Sequence, residues 1–248
     1  MTKALSVQNL TRSFGALQVT RNVSFNLEQG ARVALIGPNG AGKTTLVNLI
    51  AGGLSPSAGK IFLGPMDITH IPQAERVHAG LVRTFQVTRL FTQLSVEDNI
   101  RLAVIQRGKQ SFRLFSGLAQ LPGVDAEIHR VLTLLELNDV STRKIKELAY
   151  GEQRLVEIAL ALALRPKVLL LDEPAAGVPQ SESNVVMKAI AALPDEIAIM
   201  FIEHDMDLVF RFARRILVLV AGELLMDDCP EAVASDPRVH RLYLGEAA

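Results

Sequence analysis

A chain of 248 residues, 49% hydrophobic and 21% charged, can bury a full α/β core, which excludes an intrinsically disordered chain. Its 26 basic residues balance 26 acidic ones, which argues against a nucleic-acid binder that relies on a broad basic face. The one cysteine, Cys229, rules out an intrachain disulfide and suits a reducing compartment. No apolar h-region follows Met1-Thr2-Lys3-Ala4-Leu5, so no signal peptide is expected. Apolar runs such as 168–171 and 216–221 are far too short to span a bilayer. Any link to a membrane is therefore expected to go through another protein.

Residues 5–27 alternate weakly, and Val23-Ser24-Phe25-Asn26-Leu27 has the pattern of a strand. Ser13-Phe14-Gly15-Ala16-Leu17 lies between strands. On these residues alone, Phe14 reads first as a buried hydrophobe; the alternative is a platform for a nucleobase, whose flat face stacks on an aromatic ring. The β-rich run Ala31-Arg32-Val33-Ala34-Leu35-Ile36 then leads into Gly37-Pro38-Asn39-Gly40-Ala41-Gly42-Lys43-Thr44-Thr45. Leu46-Val47-Asn48-Leu49-Ile50-Ala51-Gly52 follows with the spacing of one helix face, closed by glycine. Strand, glycine-rich loop and helix in that order are the context of a phosphate-binding P-loop. Glycines let backbone N–H groups close around phosphate oxygens, and the helix adds its dipole and free donors. Lys43 is expected to reach the β- and γ-phosphates and the Thr44 hydroxyl to sit on Mg²⁺. The chain is expected to bind a nucleoside triphosphate.

Residues 55–64 read as a turn into a short strand. Leu81-Val82-Arg83-Thr84-Phe85-Gln86 reads as a strand ending in glutamine. Ser95-Val96-Glu97-Asp98 opens a helix with a capping serine and acids in the first turn. The stretch 108–123 mixes basic and apolar residues without a clear period, while 124–137 and 148–164 are amphipathic. Residues 88–165 therefore form a helical block, expected to be a subdomain inserted between strands.

At Lys167-Val168-Leu169-Leu170-Leu171-Asp172-Glu173-Pro174 a doubly buried strand carries two acids at its C-terminal end, where ligands bind in open α/β sheets. Asp172 suits a Mg²⁺ ligand, directly or through water, and Glu173 suits a base that orients the attacking water. A further strand, 198–202, runs into Glu203-His204-Asp205, and the His204 imidazole could donate to a γ-phosphate. Residues 215–227 read as a hairpin around Gly222, and a terminal helix is expected near 237–244.

These pieces, in this order, resemble the ATP-binding cassette (ABC) ATPases over nearly the whole chain. Leu148-Ala149-Tyr150-Gly151-Glu152-Gln153-Arg154 looks like that family's signature, usually Leu-Ser-Gly-Gly-Gln, which binds the γ-phosphate across a cassette dimer. The resemblance implies a single ABC ATPase domain over 1–248: a RecA-like P-loop α/β core, an antiparallel β part, and an inserted helical signature subdomain, 88–165. It makes Phe14 the adenine-stacking aromatic and Gln86 the glutamine that senses Mg²⁺ and the membrane partner. It also makes His204 the switch histidine and Lys43 a catalytic as well as a binding residue. Arg83-Thr84-Phe85-Gln86, Glu173-Pro174-Ala175-Ala176-Gly177, Ile202-Glu203-His204-Asp205-Met206 and Tyr243-Leu244-Gly245-Glu246 are similar to ATPases of branched-chain amino acid importers, with relatives serving urea or amides.

This implies ATP and Mg²⁺ as cofactors and a place at the cytoplasmic face of the inner membrane. The implied partners are a second cassette, separate membrane permease subunits and, indirectly, a periplasmic solute-binding protein. No nucleic-acid partner is expected. The alternative is a soluble ABC ATPase acting on DNA or ribosomes, but heptad runs and a second P-loop are absent from the sequence. Three departures from the family pattern stand out. Ala149 lacks the signature hydroxyl, Tyr150 and Glu152 replace Gly and Gln, and Pro179 stands where the family's D-loop carries Asp or Asn. All face the expected partner cassette, so a pairing with a different cassette is expected.

Overall fold

The computed structural model describes residues 2–84, 90–107 and 123–244. Two compact units emerge: one from Met1–Arg83, Lys167–Pro174 and Pro194–Ala248, the other from Thr84–Pro166 and Ala175–Leu193.

The first unit holds both sheets. Strands β1 (Lys3–Phe14), β2 (Leu17–Glu28), β4 (Ala58–Leu63) and β5 (Met66–Asp67) form an antiparallel sheet in the order β2-β1-β4-β5. The second sheet runs β10-β9-β3-β8-β7-β6, from β3 (Arg32–Ile36), β6 (Leu81–Arg83), β7 (Val168–Asp172), β8 (Ala198–Ile202), β9 (Arg215–Val220) and β10 (Glu223–Asp228). Five of these strands are parallel and β10 turns back along β9. Every residue of β3, β7 and β8 is buried, and apart from Arg32 and Asp172 they are the continuous apolar runs of strands covered on both faces. The β9–β10 turn, Ala221-Gly222, has positive φ at both residues, the geometry that twisted hairpins favour.

Helix α1 (Lys43–Ala51) shares one apolar core with both sheets through Leu46, Val47, Leu49 and Ile50. It ends on Gly52 in the left-handed region. Its last carbonyls are taken up by Arg76 of α2 (Gln73–Ala79), whose guanidinium is 1% exposed and donates to Leu49 O, Ile50 O, Thr69 O and Ile71 O. Those bonds let a charge sit in the core, because each guanidinium nitrogen finds an acceptor. Short helices α7 (Met206–Phe212), α8 (Pro230–Ser235) and α9 (Pro237–Leu244) complete the unit.

The second unit is helical: α3 (Val96–Arg107), α4 (Val124–Leu134), α5 (Tyr150–Ala163) and α6 (Gln180–Ala191). Ser95 caps α3 as its sequence suggests, its Oγ accepting from Asp98 N–H at 3.0 Å. Helix α4 stops short of the amphipathic run read to 137, because Glu136 turns into the left-handed region. Glu127 is buried and faces three guanidiniums, those of Arg107, Arg130 and Arg165. Burial alone would raise its pKa, but the hydrogen bonds from Arg165, Arg130 and Arg107 outweigh it and hold the carboxyl at about 2. Helix α6 packs in this unit, although it follows β7 in the α/β rhythm of the sequence.

Candidate functional site

The loop between β3 and α1 is shaped by backbone contacts. A Cβ on Gly37 would lie 2.1 Å from Leu219 O, and one on Gly42 2.7 Å from Val19 O, so only glycine fits either place. Ala41 N–H donates to Pro38 O within the loop at 3.1 Å. Ala41 O accepts from Gly222 N–H at 3.0 Å, and Gly222 O accepts from Arg21 N–H at 2.8 Å. The hairpin turn and β2 thus hold the loop from outside. Lys43 is buried, and its ammonium donates to Gly37 O at 2.7 Å and Pro38 O at 3.1 Å. Burial lowers its pKa below the ordinary lysine range, and the Glu173 carboxylate opposes that shift.

The ends of β7 and β8 bring acids and imidazole to the same place. Glu173 has φ +48°, an uncommon conformation for a residue with a Cβ, and its N–H donates to Ile202 O at 3.1 Å. His204 Nε2 lies 3.0 Å from Glu173 Oε1; a carboxylate only accepts, so the imidazole N–H is the donor. Residues 39–45 of the loop line a cavity of about 340 Å³ together with Val19, Glu173, Ile202 and His204. That volume is within the usual range of small-molecule sites. Val19 escaped the sequence reading, because a valine inside a strand carries no chemical signal.

Asp172 is 2% exposed and does not line the cavity. Its Oδ2 accepts from Arg83 at 2.5 Å, and the same guanidinium donates to Asn48 Oδ1 at 2.5 Å. Arg83 lay inside a quoted motif, yet its role depends on a pairing across strands that spacing does not reveal. The Thr44 hydroxyl and the Asp172 carboxylate are hard oxygen donors of the kind Mg²⁺ takes alongside phosphate oxygens and waters. Among the described residues no group of three His, Cys, Asp or Glu could hold a metal alone. Two such oxygens fit an ion that brings phosphate and water ligands of its own.

Phe14 corrects an expectation. It is 45% exposed, so it is no core residue, and the Arg12 guanidinium lies 4.6 Å from its ring centroid. The strands continue to Phe14 and from Leu17, so only Gly15-Ala16 turns, and the ring stands at a hairpin tip beyond the core. It does not line the cavity. Gln86 and most of 108–123 lie outside the described residues.

The remaining candidates gather at the start of α5 in the second unit. Leu148 is buried. Ala149 precedes the helix and offers no side-chain acceptor; instead its N–H donates to Glu152 Oε2 at 2.8 Å, half of a capping box. Gly151 N–H donates to Glu182 Oε2 of α6 at 2.9 Å, and a Cβ there would lie 2.6 Å from that oxygen. Tyr150 lies against Gly177. Pro179 caps α6, its carbonyl accepting from Glu182 N–H at 2.8 Å and Ser183 N–H at 2.9 Å. The candidates thus fall into two groups, one in each unit.

The family profile described as ABC transporter matches residues 20–176. The chain is 40% identical over 252 residues to the high-affinity branched-chain amino acid transport ATP-binding protein LivG of Salmonella typhimurium, covering 98% of each chain. It is 37% identical over the same length to BraF of Pseudomonas aeruginosa, a high-affinity branched-chain amino acid transport ATP-binding protein, again covering 98% of each. Among solved structures it is similar to a nucleotide-free ATP-binding cassette from an ABC transporter, with TM-score 0.85, 30% identity and coverage of 98% of this chain and 100% of that one. It is also similar to the ADP conformation of an ATP-binding cassette of an ABC transporter, with TM-score 0.85, 29% identity and coverage of 99% and 100%. The chain belongs to the ABC transporter family, as an ATP-binding domain.

Proposed function

We propose that this chain is the ATP-hydrolysing subunit of a multi-subunit ABC importer for branched-chain amino acids or related small solutes. The observation that carries this reading is the convergence of the glycine loop, Glu173 and His204 on one cavity of about 340 Å³. The names of the relatives LivG and BraF support the substrate class and favour an importer over an ATPase acting on DNA or ribosomes.

In this reading the loop N–H groups and Lys43 bind the phosphates, with Gly37, Pro38, Asn39, Gly40, Ala41, Gly42 and Thr45 forming the cradle. Phe14 stacks on adenine. Thr44 and Asp172 would hold Mg²⁺, which would supply positive charge against the phosphates, and Gln86 would sense the ion. Glu173 orients the attacking water, and His204, whose imidazole N–H bonds Glu173 here, turns that N–H to the γ-phosphate when nucleotide is bound. The segment Leu148-Ala149-Tyr150-Gly151-Glu152 faces the nucleotide of a second cassette, so that ATP closes the pair and hydrolysis reopens it. Residues 88–165 act as the helical subdomain of a single domain spanning 1–248, and Gln86 passes the motion to membrane permease subunits. No helix among the described residues is long and apolar enough to cross a membrane. Working with permease subunits would place the chain at the cytoplasmic face of the inner membrane.

The second cassette is a different chain. At this chain's own signature the serine hydroxyl is absent, and Glu152 and Glu182 take up N–H groups at the helix start. The partner's nucleotide there loses a contact worth ~1 kcal/mol. The test is to reconstitute the chain with its neighbouring permease, cassette and solute-binding genes in nanodiscs, and to measure ATPase stimulation by loaded binding protein. Stimulation by branched-chain amino acids supports the reading; unstimulated ATPase with every candidate solute overturns the importer. Disabling Glu173 should cost more activity than disabling the partner's equivalent glutamate. Equal losses discard the asymmetry, and full activity from this chain as the sole cassette discards the different partner.

A further inference from the structure

Arg83 ends β6 in register with Leu170 of β7, and Asp172 lies two residues further along β7, on the same face of the sheet. One guanidinium nitrogen donates to Asp172 Oδ2 and the other to Asn48 Oδ1, each at 2.5 Å. The pair is withdrawn from water, the Arg83 and Asp172 side chains being 12% and 2% exposed. Arg83 Nε is buried with no hydrogen-bond partner among the described residues, where these two bonds offset the cost of desolvating the group. Asn48 stands one turn past Thr44 on the same side of α1. A single planar fork therefore runs from the helix that carries the Thr44 hydroxyl to the strand end that carries the Asp172 carboxylate. Neutralising Asp172 requires only one of those bonds. Two bonds from a rigid fork also fix a separation, which a lysine on its flexible stem cannot do. Neither Arg83 nor Asn48 lines the cavity, so any influence on the reaction passes through the groups they hold.

We propose that Arg83 is a positioning residue that holds Asp172 and the Thr44 side of α1 at the spacing a phosphate-bound divalent cation requires. The inference rests on reading the cavity as a Mg²⁺-nucleotide site. Partners that orient metal ligands from outside typically contribute ~10–100-fold to metal affinity.

The test uses the full-length chain and a fluorescent ATP analogue, with binding measured without Mg²⁺ and then across a Mg²⁺ titration. Arg83→Met should leave Mg²⁺-free binding unchanged and raise the Mg²⁺ concentration for half-maximal enhancement about tenfold or more. Asn48→Ala leaves the charge on Asp172 paired, yet it should shift the same half-saturation in the same direction by a smaller factor. Arg83→Lys should fail to restore it. An Asn48→Ala chain with wild-type Mg²⁺ dependence, or restoration by Arg83→Lys, would reduce Arg83 to a charge neutraliser and overturn the proposal. So would an unshifted Arg83→Met chain; should that variant not fold, the other two decide. Failure of the wild-type chain to bind the analogue at all would overturn the nucleotide reading of the cavity instead.

Discussion

The two groups of candidate residues are built from different materials. The pocket of the first unit is a backbone construction: glycines press against the carbonyls of Leu219 and Val19, and Gly222 N–H donates to Ala41 O. The second unit is tied together by carboxylates. Glu127 gathers three arginines, Glu152 bonds the N–H of Ala149, and Glu182 bonds that of Gly151. A backbone cradle is insensitive to most side-chain changes and to pH, whereas a unit held by carboxylates depends on their charge. Nucleotide binding and the stability of the signature segment should therefore respond to different perturbations.

The largest effect tests the pocket where it does depend on one side chain. Glu173→Gln should lower turnover ~10²–10⁴-fold while equilibrium ATP binding stays near wild type, because the cradle is untouched. Turnover above about a tenth of wild type would remove Glu173 from its role. Next comes the carboxylate side of the comparison. The folded pKa of Glu127 is about 2, against 4.5 for a free glutamate. Its stabilisation is thus complete above about pH 4.5 and is lost as pH falls toward 2, a change on the order of 3 kcal/mol. Denaturant unfolding between pH 6 and 3 should show this loss in the wild-type chain and a flatter profile in Glu127→Gln. Parallel profiles would show that the three arginines do not govern the carboxyl.

Lys43→Ala should weaken nucleotide binding by roughly 1.5–3 kcal/mol, the worth of a charge-assisted hydrogen bond, without lowering the melting temperature. An unchanged Kd by calorimetry would contradict the phosphate role. Phe14→Ala should cost ~1–3 kcal/mol in affinity for ATP and ADP alike, since both carry the same base. Its exposure makes the variant a clean probe, because little core packing is lost. Equal affinities in mutant and wild type would leave the ring to Arg12 alone. The smallest effect belongs to Glu182→Gln, which removes the charge at the start of α5 while an amide oxygen still accepts. It should lower stability by about 0.5–1 kcal/mol in thermal unfolding and leave nucleotide affinity of the isolated chain unaltered. A loss of nucleotide affinity there would break the separation between the two regions.

What the sequence determined by itself was the part built from local rules. Strand, glycine loop and helix over 31–52 follow from residue conformational preferences, and the buried strands 168–172 and 198–202 from unbroken apolar runs. The acids and histidine at their ends were legible because the C-terminal edge of a parallel sheet is where ligands bind. The hairpin at Gly222 and the capped start of α3 were equally local. The tertiary structure alone decided the contacts between residues far apart in sequence. Arg83 meets Asp172 across 89 positions, Glu182 reaches Gly151 across 31, and Arg76 finds the end of α1 from 26 and 27 positions away. It also placed Phe14 at an exposed tip, where a ring between strands had read as core. Local spacing sets each segment's conformation; which buried charges pair is settled only when separate segments pack and each must find a partner away from water.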